Sequence, residues 1–130
     1  MNGIRVFAAV LSGMLAVGAF AEEAAHKATY FDFAKITINE RARADGFLRV
    51  RLTPESGATR EATIDIHKRE SENDIAKNIA VALEPLLGPD YEAERTAGEH
   101  VKLKKKNKQA ANFAVEITFN VPGFSIVLEN

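Results

Sequence analysis

Residues 71–88 read SENDIAKNIAVALEPLLG, and they are the stretch whose apolar residues recur at helical spacing. Ile75, Ile79, Ala82, Leu83 and Leu86 fall on one stripe of a helix with about 3.6 residues per turn. Ser71 suits the N-cap, and Asp74, three residues on, is a shorter relative of the capping-box glutamate. Glu72 and Asp74 also sit where the helix dipole favours acids. Pro85 removes a backbone donor, so the helix should kink or end near it, and Gly88-Pro89 marks the stop. One helix over about residues 72–87 is predicted.

On both sides of this helix the pattern changes to alternation. Before it, Tyr30, Ile36 and Ile38 share one parity and Phe31 and Phe33 the other. That requires either a strand buried on both faces or a bulge near Ala34-Lys35. Leu48, Val50 and Leu52 alternate with Arg49 and Arg51, the turn Pro54-Glu55-Ser56-Gly57 follows, and Ala62, Ile64 and Ile66 alternate with Thr63, Asp65 and His67. This is a hairpin with a polar outer face. After the helix come Tyr91–Arg95, a turn at Ala97-Gly98, Val101–Lys106, a polar connection over Asn107–Asn112, Phe113–Phe119, a turn at Val121-Pro122-Gly123, and Phe124–Leu128. The expected class is α+β, with antiparallel sheet of about seven short strands in the order β-β-β-α-β-β-β-β. The helix stripe is expected to pack on the sheet face carrying Val115, Ile117 and Phe119.

The N-terminus carries an address. Arg5 gives a short positive start, the run from Val6 to Gly18 has no charge, and Ala19-Phe20-Ala21 precedes Glu22-Glu23. That is the pattern of a secretory signal peptide over residues 1–21, cleaved after Ala21. The run falls short of the roughly 20 apolar residues a span requires, and no second one follows. Residues 22–29 are expected to be a flexible tail and residues 30–130 a single domain. The chain is expected to be exported, to the periplasm or the extracellular space, with no transmembrane span once processed.

Removing residues 1–21 takes away Arg5 and no acid, so Lys+Arg falls from 17 to 16 against 18 Asp+Glu. Near-neutrality argues against a general nucleic-acid binder. The chain has no cysteine, so neither a disulfide framework nor a lipoprotein anchor is available and packing must supply the stability.

Residues 63–118 resemble the strand–helix–hairpin module of phage tail sheath and related phage or bacterial surface proteins. The likeness rests on the small-residue helix Ser71…Ile75-Ala76…Ile79-Ala80…Ala82-Leu83, the strand Tyr91-Glu92-Ala93 and a turn at Gly98. It continues in Val101-Lys102-Leu103, Lys106-Asn107-Lys108 and Asn112 before the last strand. It departs in the signal peptide and in the missing glycine near Ala110-Ala111. The resemblance implies this local architecture and a structural role; it implies no active site.

No catalytic constellation is found in the sequence. His26, His67 and His100 show no metal-ligand spacing, so no metal or other cofactor is expected. Ser56, Ser71 and Ser125 have no adjacent base and no nucleophile elbow. Glu92 and Glu94 share a strand face, as acids on any polar face do. The sharpest local feature is the basic run Lys102, Lys104, Lys105, Lys106 and Lys108. Lys102, Lys104 and Lys106 should project from one strand face and form a binding site for an unidentified protein or an anionic envelope component. The same lysines equally suit the protection of an edge strand, and charge runs are usually solvated faces, which favours that reading. Glu92 and Glu94 could neutralise them across the hairpin. No aromatic residue interleaves the run, against single-stranded nucleic acid.

The function expected from the sequence is therefore that of an exported non-catalytic binding or interaction module, not an enzyme. The alternative is a structural subunit of an envelope or extracellular assembly. The identity of the partner and the oligomeric state are not encoded in any motif.

Overall fold

Alternation in the strands of residues 30–130 gives each an apolar face, and the fold brings those faces together. The computed structural model describes residues 9–12, 23–26 and 30–130. Strand β1 is Ala9–Ser12, β2 Glu23–His26, β3 Phe33–Ile38, β4 Gly46–Pro54 and β5 Arg60–Ile66. Helix α1 is Glu72–Leu87, followed by β6 Tyr91–Thr96, β7 His100–Lys105, β8 Phe113–Phe119 and β9 Ser125–Glu129. All pairings are antiparallel, in two sheets of order β1-β9-β3-β7-β6 and β2-β8-β4-β5. Within residues 30–130 these are the expected seven strands and one helix in the expected order, forming one small domain around one core.

The expected signal peptide lies outside the described residues except for Ala9–Ser12, which run along β9. Of the stretch expected to be a tail, Glu23–His26 run along β8. Both short strands occupy sheet margins, where unpaired backbone groups of β9 and β8 accept a further strand. No helix among the described residues is long and apolar enough to cross a membrane.

The core lies between the sheets. Ile36, Ile38, Val101, Leu103, Ile126 and Leu128 from one face Leu48, Val50, Leu52, Ile64, Ile66, Val115, Ile117 and Phe119 from the other. The helix closes one open side. It packs chiefly against β5 and β6, the two strands that end their sheets on that side. Ile75, Ala76, Ile79, Leu83 and Leu87 are fully buried, and burying each of the large aliphatics stabilises by about 1.5–3 kcal/mol. Ser71 caps the helix as expected, its hydroxyl oxygen accepting from the Asp74 N–H at 3.1 Å. Gly88 stops it at φ 71, a conformation that suits glycine.

Three expectations are corrected. Val115, Ile117 and Phe119 belong to the core between the sheets, whereas α1 lies principally on β5 and β6. Leu86 is 43% exposed and Leu87 takes its place. The buried row Ile75, Ile79, Leu83, Leu87 follows the i, i+4 ridge, which inclines across the helix and so ends one residue later. Pro85 lies inside the last turn, and the helix ends near it, as expected, at Leu87. Finally, β3 has neither two buried faces nor a bulge at Ala34-Lys35. Ala34, Ile36 and Ile38 are buried on one face, and the parity changes before the strand begins. Phe31 exchanges two backbone hydrogen bonds with Phe113 of β8, at 2.9 and 2.8 Å. Two residues later the chain enters the other sheet, where Phe33 opposes Lys104.

Two local features fix the joints. At the start of β4 the Asn120 side-chain oxygen accepts from the Phe47 N–H at 2.7 Å. A Cβ on Gly46 would lie 2.5 Å from that oxygen and 2.9 Å from the Val121 side chain, so a glycine is required for the approach. Tyr91, the first residue of β6, is buried with its ring edge-on to Phe113 at 5.6 Å. Its hydroxyl donates to the Ala111 carbonyl at 2.6 Å. Burial, aided by the nearby Asp90 charge, raises the Tyr91 pKa above its ordinary 10.0.

Ile79→Ala and Ile117→Ala should each cost about 2–4 kcal/mol in denaturant unfolding. Thr118→Val should stay within about 1 kcal/mol of wild type or stabilise, because the buried Thr118 hydroxyl oxygen has no hydrogen-bond partner among the described residues. A ranking in which Thr118→Val is the most damaging would reverse the assignment of faces. Tyr91 supplies a pH signature. The unfolded phenol ionises near 10.0 and the folded one only above it. Its contribution is therefore complete below pH 10 and is lost as pH rises further. Unfolding midpoints of Tyr91→Phe should lack that part of the alkaline decline.

Candidate partner-binding groove

The lysine run becomes legible once β7 has neighbours. Val101 and Leu103 are buried, which turns Lys102 and Lys104 to the outer face of the sheet. Strand β7 is paired on both sides, to β3 and to β6, so it is not an edge strand. The edge-protection reading of Lys102, Lys104 and Lys106 therefore fails: an internal strand has no open backbone to guard.

Nor do the three lysines share one environment. Lys104 sits between two carboxylates, with Nζ 3.1 Å from Glu94 and 3.4 Å from Glu92. The hydrogen bond and charge of Glu94, then those of Glu92, hold its pKa above the ordinary 10.5. The Lys102 ammonium lies 6.0 Å from the centre of the Phe33 ring. Lys106 falls just beyond the end of β7 and reaches across to the helix, 4.0 Å from Glu84. Neutralisation by Glu92 and Glu94, anticipated from the hairpin, is realised at Lys104.

These contacts frame a groove between α1 and the β6–β7 hairpin. It is lined by Ala80, Val81 and Glu84 of the helix, Glu92, Ala93 and Glu94 of β6, and Lys104, and it measures about 520 Å³. Ala80 and Ala93 keep it shallow, and Val81 is 64% exposed beside them. Glu84 also accepts from the Ala93 N–H at 3.2 Å, so the helix occupies the edge of β6 at that point. Three carboxylates stand against Lys104 and Lys106, leaving the rim with an acidic excess. Such a groove suits an apolar side chain flanked by a basic group.

The helix side of this groove was not anticipated in the sequence. The signal was available: Val81 is a β-branched apolar residue off the stripe of Ile75, Ile79 and Leu83, where a polar residue would be expected.

The remaining candidates are spoken for elsewhere. His100 Nδ1 lies 2.8 Å from the Thr37 hydroxyl and His67 is exposed in the turn after β5. Ser71 serves the helix cap. Among the described residues no group of three or more His, Cys, Asp or Glu is placed to hold a metal ion. On the outer face of the second sheet, Arg51 bridges Glu61 at 3.0 Å and Glu116 at 2.9 Å, and Arg49 meets Glu61 at 3.1 Å. This network ties β4 to both neighbouring strands. No protein-family model, no curated protein and no solved structure matches this chain.

Proposed function

We propose that this chain is an exported, non-catalytic interaction module of the cell envelope or extracellular space. In this reading it receives a segment of a protein partner in the groove between α1 and the β6–β7 hairpin. The observation that carries it is the exposed Val81 beside Ala80 and Ala93, rimmed by Glu84, Glu92, Glu94 and Lys104. An apolar centre within a polar rim is how interaction surfaces are built. The rim's carboxylates support a protein partner carrying a basic residue over an anionic envelope component at this face, since an isolated anion would meet Glu92 and Glu94 wherever it met Lys104. Export is supported by the charge-free run before Ala19-Phe20-Ala21. The alternative role, as a subunit of a larger assembly, rests on the resemblance of residues 63–118 and differs in forming defined oligomers of its own.

Two measurements test the proposal. Intact mass of the protein recovered from the exporting cell should correspond to a chain beginning at Glu22; retention of residues 1–21 would overturn export and release. Immobilised wild type should capture a defined protein from the envelope, and Val81→Asp should reduce that capture at least tenfold while the thermal midpoint stays within a few degrees. Lys102, Lys104 and Lys106 changed together to Gln should alter its salt dependence, as exposed charges are screened within about 8 Å at physiological ionic strength. Undiminished capture by Val81→Asp would remove the groove as the site.

A further inference from the structure

At the other end of β3 from Lys104, the β3–β4 and β5–α1 connections meet and border a second, open concavity of about 420 Å³. Its lining is Glu40, Arg41, Ala42, Arg43, Lys68 and Arg69. Four cations thus line it beside one acid, in a chain whose formal net charge is −1. Nothing in the sequence announces this, because Arg41 and Arg43 are separated from Lys68 and Arg69 by the whole β4–β5 hairpin.

The two connections are stitched together rather than merely adjacent. The Ala42 N–H donates to the Glu70 carbonyl at 3.0 Å and the Arg69 N–H to the Ala42 carbonyl at 2.8 Å, with the Ala42 side chain buried between them. The neighbouring acids are engaged by other groups. Asp45 accepts from the Lys68 N–H at 2.8 Å, and Glu70 accepts from the His67 N–H at 2.9 Å and from Asn78 at 2.8 Å. Among the described residues the one ion pair made by the four cations is that of Arg43 with Glu40, at 3.6 Å. Arg41, Lys68 and Arg69 make no ion pair among the described residues. Arg69 moreover holds φ at 77, the left-handed region that a glycine would occupy without strain. A long cationic side chain is kept where the backbone favours none.

We propose that this concavity binds a phosphate-bearing anion, with Arg41 and Arg69 as principal ligands and Arg43 and Lys68 completing the charge. Guanidinium groups present paired donors that match phosphate oxygens, and Arg41 and Arg69 offer two of them as exposed side chains on hydrogen-bonded connections. The size falls in the range of small-ligand sites. The source of the phosphate is either a soluble ester or the headgroup of an anionic lipid, and the chemistry recognised is the same. The site is independent of the groove at α1 and β6.

The test uses the purified full chain with two probes, sodium pyrophosphate by titration calorimetry at low salt and phosphatidylglycerol vesicles by flotation, with phosphatidylcholine vesicles as the reference. Wild type should bind at least one probe, more weakly as salt is added. Arg41→Gln should weaken that binding at least tenfold. Arg69→Gly is the decisive variant, because it deletes the cation while relieving the backbone: it should bind at least tenfold more weakly yet melt no lower than wild type. Arg69→Lys should recover part of the affinity. Lys108→Gln, exposed in the β7–β8 connection at the other end of the sheet, should bind as wild type does. Pyrophosphate binding without flotation identifies a soluble phosphate, and flotation on phosphatidylglycerol identifies a headgroup. Absence of binding to both probes, or binding unchanged in Arg41→Gln and Arg69→Gly, overturns the proposal.

Discussion

Ile75, Ile79, Leu83 and Leu87 enter the gap between β5 and β6, and the enclosure of the core depends on that contact. Two antiparallel sheets packed face to face leave open sides, and an open side exposes both apolar side chains and unpaired strand edges. Here the two sheets end on that side in β5 and β6, and one helix covers both. Arg60 adds a polar tie, donating to the Leu87 carbonyl at 3.1 Å, and its guanidinium lies 5.8 Å from the centre of the Tyr91 ring. The helix C-terminus, β5 and β6 are thereby joined at one point. With no cysteine in the chain, this closure takes the place of a covalent staple.

Where a single element carried its own pattern, the sequence was sufficient. The Ser71 cap, the helix bounds, the β4–β5 hairpin and the alternation in β8 depend on neighbours a few residues away, and all are found. What the sequence did not reveal depends on partners far along the chain. The apparent double parity around Phe31 and Ile36 is the trace of a chain that pairs with β8 at Phe31 and with β7 from Phe33 onwards. Leu86 and Leu87 are equally apolar, and only the inclination of the buried ridge selects between them. The lysines of β7 look like edge protection until β3 is laid beside them, which no local pattern specifies. The groove was half legible, in Lys104 and its two glutamates, whereas its helix wall required the packing of α1.

The charges are arranged by sheet geometry. Across the outer face of the first sheet, Glu94, Lys102, Lys35 and Glu129 stand in register on β6, β7, β3 and β9, a row in which each end is acidic and the middle basic. Lys35 and Glu129 approach to 3.6 Å. On the second sheet the order is reversed, with Arg51 between Glu61 and Glu116. Ion pairs this exposed contribute little individually to stability. Their effect is to pair charges of opposite sign across both sheet faces.

Strands β8 and β9 are the inner neighbours of β4 and β3. Strand β8 lies between β2 and β4, and β9 lies between β3 and, as long as residues 1–21 are retained, β1. A chain synthesised from its N-terminus can form the β4–β5 hairpin, α1 and the β6–β7 hairpin early, because each closes a short loop. It cannot complete either sheet, since the inner neighbours of β3 and β4 are made last. Cooperative folding therefore waits for Phe113–Glu129, which supply the inner neighbours of β4 and β3. Until that segment has emerged, the chain before it has no closed core and stays loose enough to thread a narrow passage.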